Sequence, residues 1–481
     1  MSLTLAELLE APDVPPVAVQ GLTEDSRRVA PGDAFVAFRG AAADGHDHAA
    51  DAVDRGAVAV LAERAIPELS GRVPVCVVAD LQRRRGALAA RLYGHPGVAL
   101  HCVGVTGTNG KTSIAHSLAD LASRCGRPAG YLGTIGWGRV GALAPARLTT
   151  EDPITTQRRL AALRDDGCGW AVLEVSSHAL AQQRVDDVPF RAALFSNLSR
   201  DHLDYHADAA AYAAAKARLF HWPGLELAVL NGDDAFGREL AGSLAPGVDV
   251  ITYGAEAADV RWQDVDLAGG AARGRWVTPW GEAPLTVPVP AAFAVANAAA
   301  ALAALCHAGV ALDKVAAALA DLAPVPGRME RFVRPGRPLV VVDFAHTPDA
   351  LEKVLTALRP ATTGRLICVF GCGGDRDPGK RPLMAAAAEA RADELWLTSD
   401  NPRSENPDAI IDDMRAGLSG RVPVRACADR RAAVAAAVAS AGPGDTVLVA
   451  GKGHEDYQEI RGRREPFSDR GLVESLMGEA R

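Results

Sequence analysis

At 481 residues the chain is too long for one ordinary core, and its length suggests about three domains. Apolar residues make up 48% and charged residues 23%, the balance of a soluble globular protein. A formal net charge of -8 argues against a general nucleic-acid binder, which needs clustered Lys and Arg against phosphate. No uncharged apolar run reaches about 18 residues, so no membrane span is expected. The opening "MSLTLAELLEAPDVPP" has no basic n-region, so no secretory signal is expected either. The eight cysteines include no C-x-x-C pair, which suits reduced, mostly buried thiols in the cytoplasm.

Residues 1 to 98 carry short strands, "DAFVAFRG" and "AVAVLAER", around an Ala-rich helical segment, and "YGHPG" then reads as a linker. From 99 to 327 strands and helices alternate through "WAVLEVSS", "AALFSNLS" and "ELAVLNGDD". A β-rich interruption at roughly 258 to 290 follows, then a helix near Phe293 and a junction at "PVPGRMERF". In 328 to 481 the apolar runs "PLVVVDFAH", "RLICVFGC", "ELWLTSD", "VRACAD" and "DTVLVAGKG" alternate with helical segments such as "AAVAAAVASA". Continuous apolar strands between helices predict a parallel sheet covered on both faces, with ligands beyond the carboxyl ends of its strands. Those ends are "DFAHTPD", "GCGGDRD", "SDNPRSE" and "GKGHED", all polar and expected to converge on one edge.

"GVTGTNGKTS", Gly104 to Ser113, reads as a phosphate-binding loop between a strand and a helix. Gly107, Thr108, Asn109, Gly110 and Ser113 offer backbone N–H groups, Lys111 a reach to the β/γ-phosphates, and Thr112 a hydroxyl for magnesium. The usual G-x-x-x-x-G-K-[ST] spacing fails by one place, because Val105 stands where the first Gly belongs. Glu174 ends the apolar run "WAVLE", where a carboxylate can help hold the metal. "NLSRDHLDYH" supplies Asn197, Asp201, His202, Asp204 and His206, at a spacing that fits no common zinc pattern. Lys216, alone on the Ala-rich "YAAAKARLF", reads as a solvated helix face.

"TGTNGKTS", "LEVSSHAL", "FSNLSRDHLDYH", "GRMERF", "DFAHTPDALE", "FGCGGDRDPGKRPLM", "DNPR" and "GKGHEDYQ" occur in order over nearly the whole chain. Together they resemble the ATP-dependent Mur ligases, and most narrowly the UDP-N-acetylmuramoyl-tripeptide synthetase branch. The resemblance implies an α/β protein of three domains. These are a UDP-binding domain over 1–98, a P-loop-type ATPase domain over 99–327 and a Rossmann-like, amino-acid-binding parallel-sheet domain over 328–481. It implies a cytoplasmic, monomeric enzyme of cell-wall precursor synthesis that uses ATP and Mg2+, with no nucleic-acid or membrane partner.

The resemblance also assigns residues. It makes Lys111, Glu174, His202 and Lys216 catalytic, the last three with Thr112 as metal-site residues and Lys216 as a carbamate. Asn297, Arg328, Asp343 and His346 go to the nucleotide, although Ala294 replaces the usual first Asn of "FAVAN". Ser26 goes to UDP, and Thr149, Thr150, Ser176, Gln182 and Arg184 to the muramoyl dipeptide. Arg376, Asp400, Asn401, Pro402, Arg403, Gly451 and Glu455 form the amino-acid pocket. Because DNPR accompanies diaminopimelate in the family, the expected substrates are UDP-MurNAc-L-Ala-D-Glu and meso-diaminopimelate. Physically, an Arg can grip the extra distal carboxylate bidentately while Glu455 accepts from the distal ammonium. The alternatives are the same ligation with L-lysine, a folylpolyglutamate synthetase-like ligase, and a nucleotide-dependent switch without ligation.

Overall fold

The computed structural model describes residues 2–40, 43–202, 204–267 and 270–478. The chain forms two compact units: one of residues 1–106, 126–193 and 218–226, the other of 107–125, 194–217 and 227–481.

In the first unit a four-stranded parallel sheet runs Gly21–Thr23, Asp33–Ala37, Ala59–Ala62 and Val75–Val77. Val36 and Leu61 point to one core and Phe35 and Val60 to the other, as the two-residue strand period requires. A second set of strands places Trp170–Glu174 between His101–Thr106 and Ala129–Gly133, all parallel, with Gly136–Gly138 antiparallel at the margin. The expected linker is packed: Pro96 and Gly97 are buried in a short 3-10 turn, and a Cβ on Gly97 would lie 2.5 Å from Pro189.

Helix Leu81–Leu92 brings Gly86 against Asp187 and Pro153, so closely that any Cβ there would overlap the Asp187 carboxylate. Burial there, with repulsion from Asp186, raises the Asp187 pKa to about 6. The native state therefore keeps a proton that the unfolded chain releases near pH 4, so this group's contribution to stability falls as pH rises from about 4 to 6. We expect Asp187→Asn to raise the thermal midpoint by about 2–4 °C at pH 8 and to leave it unchanged at pH 4. Paired melting curves at the two pH values check this.

In the second unit, Leu227–Asn231 pairs in parallel with Asp249–Tyr253, and the β-rich interruption is a three-stranded antiparallel sheet spanning Arg261–Val287. The main sheet runs Glu330–Phe332, Leu339–Asp343, Thr446–Ala450, Leu366–Phe370, Glu394–Leu397 and Val424–Ala426. Its last five strands are parallel, as the apolar runs predicted, and Glu330–Phe332 adds an antiparallel edge. That edge strand was hidden inside the junction motif, because three residues are too few to show an alternation. Val341, Cys368, Leu395 and Leu448 face one core, and Val340, Ile367, Trp396 and Val447 the other. Helices over both faces supply the rest, among them Arg430–Ser440, whose Ala433, Val434, Ala437 and Val438 form a small packing stripe.

Arg430 and Asp469 are fully buried as a bidentate pair with contacts of 2.9 and 2.7 Å. Arg430 also donates to the carbonyls of Ser399 at 3.2 Å and Ala450 at 2.8 Å, tying two strand ends together. Arg430→Met should cost about 3–5 kcal/mol, because it strands a buried carboxylate. The double variant Arg430→Met/Asp469→Leu should cost much less, and denaturant titration of both distinguishes the cases.

Candidate active site

The loop leaving strand His101–Thr106 is shaped by two glycines in the positive-φ region, Gly107 at 142° and Gly110 at 89°. A Cβ on Gly107 would overlap the Ser196 hydroxyl, and one on Gly110 would lie 2.8 Å from Asn297 Oδ1. Helix Lys111–Arg124 starts at Gly110 with no side-chain cap, so its first N–H groups remain directed at the loop. Lys111 Nζ folds back to donate to the carbonyls of Gly107 and Thr108, each at 2.9 Å. Thr108 N–H donates to Asn197 O at 2.7 Å, and Asn109 N–H to Asn197 Oδ1 at 3.1 Å. Those two loop N–H groups, expected to face phosphate, are thus spent on Asn197, and the anion cradle is made by the ammonium and the uncapped helix N-terminus.

Lys216 overturns the solvated-face reading of its helix. It is 1% exposed, and its Nζ donates to Gly107 O at 2.8 Å, the same carbonyl that holds Lys111. Burial, then repulsion from Lys111, hold its pKa well below that of an ordinary lysine, against an opposing pull from Asp201. Desolvation favours the neutral amine, the form that carbamate formation with CO2 requires. The helix turns Lys216 inward beside the Tyr212 ring, 4.5 Å from its centroid, a placement that Ala-rich periodicity cannot reveal.

Asp201 is the buried carboxylate of this region. His202 lies 3.4 Å from it, His346 3.8 Å and Lys380 4.0 Å. Burial opposes its charge, but hydrogen bonding and attraction from His346, with help from His202 and Lys380, hold its pKa well below the usual range. His202 itself has a φ of 54°, so the loop bends sharply here. Asp204 sits 4.0 Å from Arg376. Among the described residues no cluster of three or more His, Cys, Asp or Glu could hold a metal.

Beside the loop opens a cavity of about 150 Å³, lined by Asn109, Gly110, Ser113, Asn297, Arg328 and Asp343 among largely apolar side chains. Ala294 lines it too, where an Asn would have added a polar contact. Arg328 donates to Thr112 Oγ1 at 2.9 Å and stacks 4.4 Å above the Phe344 ring. Asp343 accepts from Met329 and Ala345 N–H, both at 2.7 Å; burial raises its pKa despite those bonds and Arg328. His346 does not line the cavity, its ring facing Asp201 instead. An apolar slot beside an anion cradle suits a purine nucleotide.

The first unit collects another cluster. Glu174, 1% exposed, accepts from Thr134 N–H at 2.9 Å, from Thr134 Oγ1 at 3.0 Å and from the Tyr131 hydroxyl. The Thr149 and Thr134 hydroxyl oxygens lie 3.1 Å apart, and Thr150 donates to Glu174 O at 2.8 Å. Ser176 N–H donates to Thr150 Oγ1 at 3.1 Å, while its own hydroxyl caps helix Ser177–Ala181. Arg184 donates to Thr150 O at 2.9 Å and to Gln182 Oε1 at 2.9 Å. Five of the residues expected to meet the dipeptide, Thr149, Thr150, Ser176, Gln182 and Arg184, therefore form one bonded patch. Ser26 lies buried elsewhere in this unit, where its hydroxyl leads the bonds that lower the Asp51 pKa.

The carboxyl ends of the main sheet converge as the sequence predicted. Arg403 takes a φ of 53°, its N–H donating to Glu459 O at 2.9 Å and its Nη1 to Gly374 O at 2.6 Å. Pro402 precedes it, and Asp400 packs so tightly on Gly451 that a Cβ there would lie 2.5 Å from Asp400 Oδ2. Asn401 Nδ2 donates to Glu455 Oε2 at 2.9 Å. Arg376 is exposed and, like Arg403, borders Gly373. Sequence reasoning did not commit Asp201, Lys380 or Lys452 to the site, though each sits within a quoted motif. Their signal was only adjacency, since burial of a charged group is a tertiary property.

Three family descriptions match in succession: "Mur ligase family, catalytic domain" over 18–93, "Mur ligase middle domain" over 105–305 and "Mur ligase, glutamate ligase domain" over 327–453. A UDP-N-acetylmuramoyl-L-alanyl-D-glutamate--2,6-diaminopimelate ligase of Alkalilimnicola ehrlichii is 50% identical, covering 98% of this chain and 97% of its own. A solved structure of an enzyme of the same name is 38% identical with a TM-score of 0.69, covering 99% of each chain. A Mycobacterium tuberculosis folylpolyglutamate synthase, 21% identical with a TM-score of 0.66 over 82% of this chain and 95% of its own, shares the fold alone. The chain belongs to the Mur ligase family.

Proposed function

We propose that this chain is an ATP-dependent amide ligase that joins meso-diaminopimelate to the D-glutamate carboxylate of UDP-N-acetylmuramoyl-L-alanyl-D-glutamate. The carrying observation is 50% identity over 98% of the chain to a relative named for that ligation. The domain limits 1–98, 99–327 and 328–481, a monomeric state and a cytoplasmic location belong to the same proposal. Among the described residues no helix is long and apolar enough to cross a membrane.

In this reading the glutamate carboxylate oxygen attacks the γ-phosphorus of ATP, ADP leaves, and an acyl phosphate forms. The diaminopimelate amine then attacks the acyl carbon, expels inorganic phosphate and loses a proton to leave the amide. Lys111 and the first N–H groups of helix Lys111–Arg124 neutralise the migrating phosphoryl group, where charge builds up. Asn297, Arg328 and Asp343 position the nucleotide, with His346 joining through Asp201. Thr149, Thr150, Ser176, Gln182 and Arg184 present the dipeptide, and Ser26 the uridine end. Arg376, Asp400, Asn401, Pro402, Arg403, Gly451 and Glu455 orient the incoming amino acid.

Mg2+ is bound through few protein oxygens plus substrate phosphates, and the Thr112 hydroxyl and Glu174 carboxylate are oxygen donors of that kind. In the second unit Thr112, His202 and a carbamylated Lys216 would hold the ion, which would supply charge neutralisation at the phosphates, and Glu174 is the first unit's own candidate oxygen donor. Incubating purified protein with ATP, Mg2+, the UDP-dipeptide and either diaminopimelate or L-lysine tests the proposal. Sustained ADP release over many turnovers should require both the UDP-dipeptide and diaminopimelate; equal use of L-lysine would reject the substrate assignment.

A further inference from the structure

Lys452, in the turn after strand Thr446–Ala450, is completely buried, yet the proposed chemistry gives it no task. Burying an ammonium is costly unless its partners are well placed. Its Nζ lies 2.7 Å from Glu455 Oε2 and 3.1 Å from Asn401 Oδ1. Asn401 Nδ2 donates to that same Oε2 at 2.9 Å, and Asn401 Oδ1 also accepts from Glu459 N–H at 2.9 Å. Lys452 and Asn401 therefore pin one Glu455 oxygen, and the other has no protein donor among the described residues.

Charge follows from the same geometry. Glu459 lies 3.9 Å from Arg403 and 4.0 Å from Arg464, so it is shared between two guanidiniums. Arg403 also acts on Asp375, and Arg430 on Glu455 and Asp400, so cations and carboxylates interleave around the Glu455 oxygen that Lys452 neutralises. A ligand end bearing both ammonium and carboxylate meets an aimed acceptor and a cation. An end bearing only an ammonium meets an acceptor already neutralised by Lys452 and leaves Arg403 without a carboxylate.

We propose that Lys452 is the positioning residue that sets amino-acid selectivity, by neutralising and aiming Glu455 so that the pocket takes a zwitterionic distal end and rejects a lone ammonium. This rests on the proposed ligase function, and it assigns the rejection of the wrong substrate to a buried charge that need not touch either one.

The test compares kcat and KM for diaminopimelate and L-lysine in the wild type, Lys452→Met, Glu455→Gln and the double variant. In Lys452→Met the ratio of kcat/KM values, diaminopimelate over lysine, should fall by about tenfold or more, through a lower KM for lysine together with a higher KM for diaminopimelate. KM for ATP and for the UDP-dipeptide should stay within about twofold. The double variant, a neutral pair, should regain part of the lost ratio relative to Lys452→Met; if Lys452→Met fails to fold, the double variant should still show a lower ratio than the wild type. An unchanged ratio, or parallel losses for both amino acids and for ATP, overturns the proposal. A wild-type enzyme that does not ligate diaminopimelate overturns instead the functional reading beneath it.

Discussion

Lys111→Ala should lower diaminopimelate ligation and ADP release by about a thousandfold or more, with the fold intact. The Lys111 ammonium spans the Gly107 and Thr108 carbonyls at 2.9 Å each, at the mouth of the anion cradle. It is thus preorganised beside the loop, and a transferring phosphoryl group would meet it without reorganisation. Lys111→Arg should not restore activity, because a planar fork does not occupy the seat of a compact ammonium held between two carbonyls. Single-turnover phosphoryl transfer, read alongside a circular-dichroism melt, separates lost chemistry from lost structure. Ligation within about tenfold of wild type would remove Lys111 from the catalytic assignment.

The second large effect belongs to Arg403. Its backbone is locked by the Glu459 carbonyl at 2.9 Å and by the Arg461 N–H at 2.6 Å, and one guanidinium nitrogen is spent on Gly374 O at 2.6 Å. That leaves Nη2 without a protein partner among the described residues, on a side chain whose direction is already fixed. Arg403→Ala leaves a distal carboxylate unpaired, a loss of about 2–5 kcal/mol in diaminopimelate binding and transition-state stabilisation. In kcat/KM that is roughly thirtyfold to several thousandfold, while KM for ATP stays unchanged. Arg403→Lys should recover only part, since a point charge cannot donate in a bidentate fork. Steady-state kinetics with each substrate varied in turn check both variants, and a uniform rise in every KM would count against the assignment.

Much of this was legible in the sequence because it depends on local order. Apolar runs bounded by Gly and polar turns gave the parallel strands, and their polar ends met at one edge because side chains beyond a strand's carboxyl end have nowhere else to go. The spacing of Gly107, Gly110 and Lys111 gave the loop, since positive φ and a helix start are properties of a few consecutive residues. The turn that carries Arg403 was legible the same way, as a strand end followed by Asn-Pro, while its place in the amino-acid pocket came from the family resemblance.

What tertiary structure alone decided are the buried charges. Lys216 looked solvated from its neighbours, yet packing places it under Gly107 beside Lys111, where desolvation and repulsion depress its pKa. Asp201 became a centre only when His346 and Lys380, both more than a hundred residues away in sequence, closed on it. Lys452 and Glu455 sat in one short motif, but their pairing with Asn401 needed two strand ends to meet. Sequence determines periodicity, turns and the chemical inventory, because these are set within a few bonds. Which charges lose water, and which partner then compensates them, depends on distances through space that only the folded chain sets.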